Sequence, residues 1–408
     1  MKPLAEARAE VLAAMPRLGC GPVDAGSSVG RVTAQPALAR EYVPPFDNSA
    51  MDGFAVIATD VAQAPVTLKV IEDVAAGSVP VSTVVPGTAV RIMTGAPMPS
   101  GADAVVRVED TEAVGTDEVT ITVSAPALQD VRPRGGDTSP GDVVVDSGVR
   151  LTARHVSGLA SAGLSPVVSD MPSVAVISTG DEVVPYATRD LAPGTIRDSN
   201  RVLLRAVLTE LGVQVIDLGI VGDDPEELRS AYEDAASRAD LVVSTGGVSM
   251  GDYDYVKQVL GDLGTVEFWK VAMQPGKPFA FGSINDVPLF GLPGNPVSSF
   301  VAFEQLVRPS ILYMMGATNL LRTQIAGTMG EDVNTNPDRM VFLRAMLAQD
   351  PDGRFVAVKS GGQGSNMLSS LASADAFAVV PVGVGSLSAG DDVTLEMFRW
   401  PEGRRGDE

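Results

Sequence analysis

Hydrophobic and polar positions divide this chain into stretches with different periods. Residues 4–18 carry an amphipathic helical pattern that Gly19 and Gly21 end. Residues 24–39 follow as a short extended arm of small residues. Pro44 and Pro45, with Asp47-Asn48-Ser49 behind them, exclude regular structure, and Phe54-Ala55-Val56-Ile57 then begins a strand. From Val56 to Thr122 short β-rich runs (VTLKVIEDV, TAVRIMTG, DAVVRVEDT, EVTITV) are separated by Gly, Pro and Asp, which predicts a small all-β unit. Residues 152–162 read as a helix that, with the N-terminal one, predicts a separate elongated arm.

Between Pro172 and Gly316 the pattern alternates. VAVIST is a strand, Asn200 opens the helix RVLLRAVLTEL, and VQVIDLGIV is the next strand. Asp223-Asp224-Pro225-Glu226-Glu227 starts a helix, with an acid cap and proline in the first turn. Leu241-Val242-Val243 is a further buried strand, and a long helix follows Gly291-Leu292-Pro293-Gly294-Asn295-Pro296. This alternation predicts an α/β central domain, a mostly parallel sheet with helices on both faces. After Gly316 the runs MVFLRAML, FVAVKS, AFAVVPVG and DVTLEMF predict a C-terminal β-barrel. The expected organisation is multidomain: residues 1–45 with 140–170 as a helical and extended arm, 46–139 as a β-rich inserted domain, 171–317 as the α/β domain and 318–403 as the barrel.

Charge and composition narrow the partners. With 408 residues and a net charge of -21, the chain is a poor match for nucleic acid or an anionic membrane, and an anionic ligand would need locally gathered cations. No apolar stretch approaches the roughly 20 residues that span a bilayer. The first residues read as an Ala/Glu/Arg helix and not a signal peptide, which predicts a cytoplasmic protein. Cys20 is the only cysteine and His155 the only histidine, so thiolate zinc clusters and His-rich sites are excluded. His155 reads as structural. Any metal should be a hard cation held by oxygens, with magnesium the first choice.

The chemistry gathers in turns. Residues 241–257, LVVSTGGVSMGDYDYVK, feed a strand into a glycine turn, the place where α/β proteins bind ligands. Ser244, Gly246, Gly247 and Ser249 form a candidate cradle, with Asp252 and Asp254 at its lip. Lys270 precedes the turn QPGKP, which holds Gly276, Lys277 and Pro278, and Pro293, Asn295 and Ser298 belong to another turn at a positive helix end. Taken singly, each residue also fits a solvated loop. Walker and GxGxxG signatures are missing, so a site must be assembled from separate turns.

Eight motifs in order, PPFDNSAMDGFA, RIMTGAPMP, RPRGGD, STGDE, GDDPEEL, STGGVSMGDYDYVK, QPGKPFAFG and LPGNPVSS, resemble the molybdopterin molybdenumtransferase family, the MoeA and gephyrin E-domain proteins. They span about residues 44–299, and weaker similarity continues to Trp400. The resemblance implies a cytosolic homodimer, with the arm as its dimerisation element and the α/β domain as the molybdopterin-binding one. Its implied reaction is insertion of molybdenum from molybdate into adenylylated molybdopterin, with Mg2+ and release of AMP. It also implies contacts with other molybdenum cofactor synthesis proteins. Carried over motif by motif, the pocket acids fall on Asp52, Asp137, Glu182, Asp223 and Asp254, with Thr94 beside them, and the cations on Lys270 and Lys277. Asp52 and Asp254 are the implied magnesium ligands, and Arg344 and Ser365 the implied molybdate positions, with Ser298 nearby. Helix capping alone would also explain Asp223, and pairing with a carboxylate would explain Arg344. Arg344 is expected to anchor its stem in the sheet and point its head outward. Where several relatives read KPGKP, this chain has Gln274-Pro275-Gly276-Lys277-Pro278, one cation fewer. Two other readings are an adenylyltransferase that makes the adenylylated pterin, and a non-catalytic scaffold.

Overall fold

The structure, a computed structural model, describes residues 1–247 and 255–400. Its central sheet has the strand order Gln214–Val221, Ser173–Thr179, Leu241–Thr245, Val287–Leu292, Pro278–Ile284, Gly264–Lys270. The first four run parallel. Pro278–Ile284 runs antiparallel to both of its neighbours, so the sheet is mixed. The reversal has a local cause: Asn285 and Asp286 both have positive φ and form the two-residue turn between Ile284 and Val287, a geometry that suits hairpin twist. Helices cover both faces. Leu204 and Leu208 of Asn200–Leu211 pack on one side, and Leu228, Tyr232, Val256 and Leu260 on the other.

The stretch expected as one long helix runs unbroken from Pro296 to Met314, α-helical over Pro296–Ala302 and Arg308–Met314 with a π-helical turn at Phe303–Val307 between them. Pro309 has no N–H to donate, and its ring crowds the preceding turn, which the wider π turn accommodates. The carbonyl of Gln305 then accepts from Arg8 Nε at 3.0 Å. Arg8 lies on the helix Leu4–Ala13, whose Leu4, Ala7 and Val11 enter the same core as Leu306 and Ile311. That helix therefore docks on the α/β unit and does not lie beside Ala153–Ser161, whose Leu159 belongs to a separate small core with Leu151 and Val168.

In the β-rich segment the sheet order is Ala104–Arg107, Gly53–Val56, Thr88–Ile92, Val66–Val74, Glu118–Ile121, Thr111–Val114. Alternation along Gly53–Val56 puts Phe54 and Val56 in one core and Ala55 in another. At the C-terminal end, Met340–Gln349, Phe355–Lys359, Gln324–Met329, Asp392–Met397 and Ala376–Val380 pair in a closed ring, a five-stranded barrel. The barrel is joined to the α/β unit in two ways. Met273–Gln274 pairs in parallel with Met340 and Val341, and buried Glu396 accepts from Gln305 Nε2 at 2.6 Å.

Candidate functional site

The four parallel strands end at one edge of the sheet, at Thr179, Val221, Thr245 and Leu292. The helices that follow Ser173–Thr179 and Leu241–Thr245 pack on opposite faces, so the crevice between these strands is the topological switch point. Gly246 sits there with φ +98, and a Cβ on it would lie 2.5 Å from Thr179 O. Only glycine closes that turn. Gly247 follows it. Ser249, Asp252 and Asp254 lie outside the described residues. Ser244, expected in the cradle, is fully buried inside the sheet, because it precedes the last residue of the strand.

Asn200 binds this edge together, and reading it only as a helix start missed that role. Its Nδ2 donates to Thr245 Oγ1 at 2.7 Å and to Gly294 O at 2.8 Å, tying the Gly246 turn to the turn that carries Pro293 and Asn295. The signal was available in an amide at the start of an apolar helix, which must find a partner once buried. The acids separate by role. Asp224 caps Pro225–Arg238, accepting from Glu226 N and Glu227 N at 3.0 Å each. Asp223 is thus not needed as the cap. It faces Asp181 instead, with Asp223 N donating to Asp181 Oδ1 at 2.9 Å, and Glu182 is exposed beside them.

A second opening lies between the α/β unit and the barrel. A cavity of about 330 Å³ is lined by Gly276, Lys277, Pro278, Ser298, Ser365 and Arg339, among others. Here the QPGKP turn, the start of Pro296–Ala302 and the barrel loop meet, and Val297 N donates to Ser365 O at 3.0 Å. Lys270, exposed at the end of Gly264–Lys270, is not in its wall.

Arg344 departs from expectation. Its head does not point outward; the residue is 0% exposed. Nε donates to Ser370 Oγ at 2.8 Å, and Nη2 to the carbonyls of Gly362 and Gly364 at 2.9 and 3.2 Å. The physical reason is the loop that carries Ser365: its carbonyls turn away from the barrel ladder and require a donor. Burial pulls the Arg344 guanidinium below its ordinary pKa. Its Nη1 is buried with no partner among the described residues.

The three N-terminal motifs converge elsewhere. Asn48–Ser49 pairs with Val131–Arg132, and Gly95 N donates to Ser49 O at 2.8 Å. Asp52 Oδ1 accepts from Thr94 N and Thr94 Oγ1, both at 2.7 Å, and these bonds hold its carboxyl below the usual range, with nearby Arg91 a smaller contribution. Asp137 is exposed, with its N–H on Val43 O at 2.9 Å. Among the described residues no hydrogen bond or ion pair joins this corner to the α/β unit. Nor do three acids, histidines or cysteines converge on a metal site among them.

Comparison with known proteins follows the same division. Residues 2–163 match the family model described as the MoeA N-terminal region (domain I and II), residues 175–313 a probable molybdopterin binding domain, and residues 326–398 the MoeA C-terminal region (domain IV). The molybdopterin molybdenumtransferase of Haemophilus influenzae is 38% identical over 374 residues, covering 91% of this chain and 92% of that one. The Bacillus subtilis protein of the same name is 36% identical over 391 residues, covering 92% and 89%. A crystal structure of the molybdopterin biosynthesis MoeA protein from Pyrococcus horikoshii superposes with TM-score 0.77 at 34% identity, covering 98% of this chain and 99% of that one. No described helix is long and apolar enough to cross a membrane.

Proposed function

Because the chain belongs to the MoeA family of molybdopterin molybdenumtransferases, we propose that it transfers molybdenum from molybdate to adenylylated molybdopterin with release of AMP. The observation that carries this reading is the cavity between the QPGKP turn and the Ser365 loop. Molybdate is a compact dianion, and a chain of net charge -21 repels it unless fixed donors offset that field. Lys277 and the Ser298 and Ser365 hydroxyl groups line a space of suitable size, and the buried Arg344 holds the loop that presents Ser365. At the switch point, the Gly246 and Gly247 turn would receive the phosphates of the adenylylated pterin, with Lys270, on the outermost strand, facing the more distant part of that ligand.

Asp52 suits magnesium as a hard donor, since its Thr94 bonds keep it ionised. Magnesium uses one or two carboxylates together with substrate phosphates, so a large acid cluster is unnecessary. When bound, it would neutralise charge growing on the pyrophosphate oxygens. Asp52 and Asp254 would hold it, with Asp137, Glu182 and Asp223 lining the approach. Since Asp52 has no bond to the α/β unit of its own chain among the described residues, we read the working site as shared across a homodimer. Neither an adenylyltransferase nor a scaffold needs the cationic cavity against the barrel.

The direct test supplies purified protein with adenylylated pterin and molybdate, then measures AMP release and activation of a cofactor-free molybdoenzyme. Both should appear together, and chelating magnesium should stop both. Pterin adenylylation from ATP, or neither activity, would overturn the reading.

A further inference from the structure

Gly264–Lys270 is the outermost strand of the central sheet, paired with Pro278–Ile284 along one edge. Where it ends, the first residues of the chain take the other edge. Lys2 N donates to Lys270 O and Ala272 N donates to Lys2 O, each at 2.8 Å, so Lys2 pairs in parallel with Val271 between them. The Val271 N–H faces the opposite way and donates to Lys277 O at 2.9 Å. The strand end that carries Lys270 is therefore gripped from both edges. The Lys2 side chain adds a second hold: its Nζ lies 3.6 Å over the Trp269 ring and pairs with Glu10 Oε2. Trp269 is itself fixed, buried and donating through Nε1 to Glu267 Oε2 at 2.8 Å. Behind Lys2, Leu4, Ala7 and Val11 enter the same core as Trp269 and Val271, which anchors this strap to the α/β unit. Lys270 is different. It is exposed, and its side chain makes no ion pair or hydrogen bond among the described residues. A flexible ammonium without a partner keeps its rotamer freedom, so its reach is set by where the backbone places it.

We propose that Lys2 is a positioning residue for Lys270: the N-terminal strap fixes the strand end from which this ammonium reaches its ligand. The inference rests on the proposed function, in which that ligand is the adenylylated pterin. Two separate holds do the work, the backbone bonds that bracket Val271 and the Lys2 cation on the ring of Trp269, the residue before Lys270. Their contributions can be removed one at a time.

The test is the KM for adenylylated pterin in AMP release by the whole protein. Lys2→Arg should match wild type, because it keeps both cation and backbone. Lys2→Met loses the cation over Trp269 and should raise KM about threefold, the scale of a partly exposed cation–π contact. Lys2→Pro also removes the N–H that Lys270 O accepts and should raise KM roughly tenfold, with kcat changing less. A general framework role would cost activity whether or not Lys270 is present, so the deciding comparison is the double variant. Once Lys270→Met has removed the ammonium, adding Lys2→Pro should cost nothing further. Additive losses, or an unchanged KM in Lys2→Pro, would overturn the proposal. Hydrogen exchange over residues 268–273 needs no substrate and should be faster in Lys2→Pro than in wild type; equal exchange would also overturn it. A wild type that releases no AMP, beside a Lys2→Pro protein with this faster exchange, would overturn the proposed function and leave the hold of the strap on Lys270 standing.

Discussion

The Lys277–Ser365 cavity is cationic, partly enclosed and walled by two packed units, whereas the Asp52 corner is anionic, exposed and built within one β-rich unit. In the first, donors are fixed by burial and by hydrogen bonds to a serine and two carbonyls, as Arg344 shows. In the second, a carboxylate is kept ionised by two hydrogen bonds from one threonine and remains open to solvent. On the proposed function, the first corner would hold an oxyanion against an acidic protein, and the second would admit and release a metal with its phosphates. Among the described residues no hydrogen bond or ion pair links the two corners.

Arg344→Ala strikes the cavity hardest. It removes three buried hydrogen bonds, so the loop should lose its support, with about 3 kcal/mol of stability gone. Molybdate half-saturation should rise roughly a hundredfold. Melting and a molybdate titration of cofactor formation check both. A variant that loses molybdate at an unchanged melting temperature would make Arg344 a direct contact and not the support of the loop.

Thr94→Val addresses the other corner with a smaller effect. Asp52 has a depressed pKa, so its charged form is secure above the ordinary carboxylate value of about 3.9 and is lost as pH falls through the lower folded value. Deleting the hydroxyl removes one of two supporting bonds and should move the acid limb of AMP release to higher pH. Activity near neutrality should hardly change. An unmoved acid limb would mean that another group sets it.

The smallest effect is expected at Glu396, which joins the barrel to the α/β unit. Burial raises its pKa, a shift that the Gln305 bond opposes. A raised folded value favours the protonated form, so this contribution is complete below the unfolded pKa of about 4.3 and is lost as pH rises through the folded value. Glu396→Gln should abolish that dependence, giving a melting temperature higher than wild type by a few degrees at most at alkaline pH and equal to it in acid. A variant that melts lower at every pH would show that the charge stabilises the junction.

Strong local patterns made much of the fold legible. Period-2 runs located the β-rich unit and the barrel, and strand-helix alternation located the α/β unit. The hairpin reversal at Asn285-Asp286 was written in turn residues but was overridden by the alternating rhythm. Positions whose meaning depends on a distant partner were not legible. Arg8 meets Gln305 across 297 residues, and Asn200 meets Gly294 across 94. Arg344 reads as a charge on a strand until the Gly362 and Gly364 carbonyls fold over it. Candidate site residues were legible as turns, and the family resemblance already set Ser298 near Ser365 and Thr94 beside the acids, but the sequence did not show that Lys277 lines the Ser298 and Ser365 cavity while Asp52 and Thr94 occupy another corner.

The central claim, that these two corners are halves of one site completed by a second chain, is tested most directly by complementation. Asp52→Asn and Lys277→Ala proteins should each be nearly inactive alone. After verified subunit exchange, half the dimers are mixed and carry one intact site of two, so cofactor formation should return to about a quarter of the wild-type rate. No recovery in a sample proven to contain mixed dimers would contradict the account and place both corners in the service of one chain.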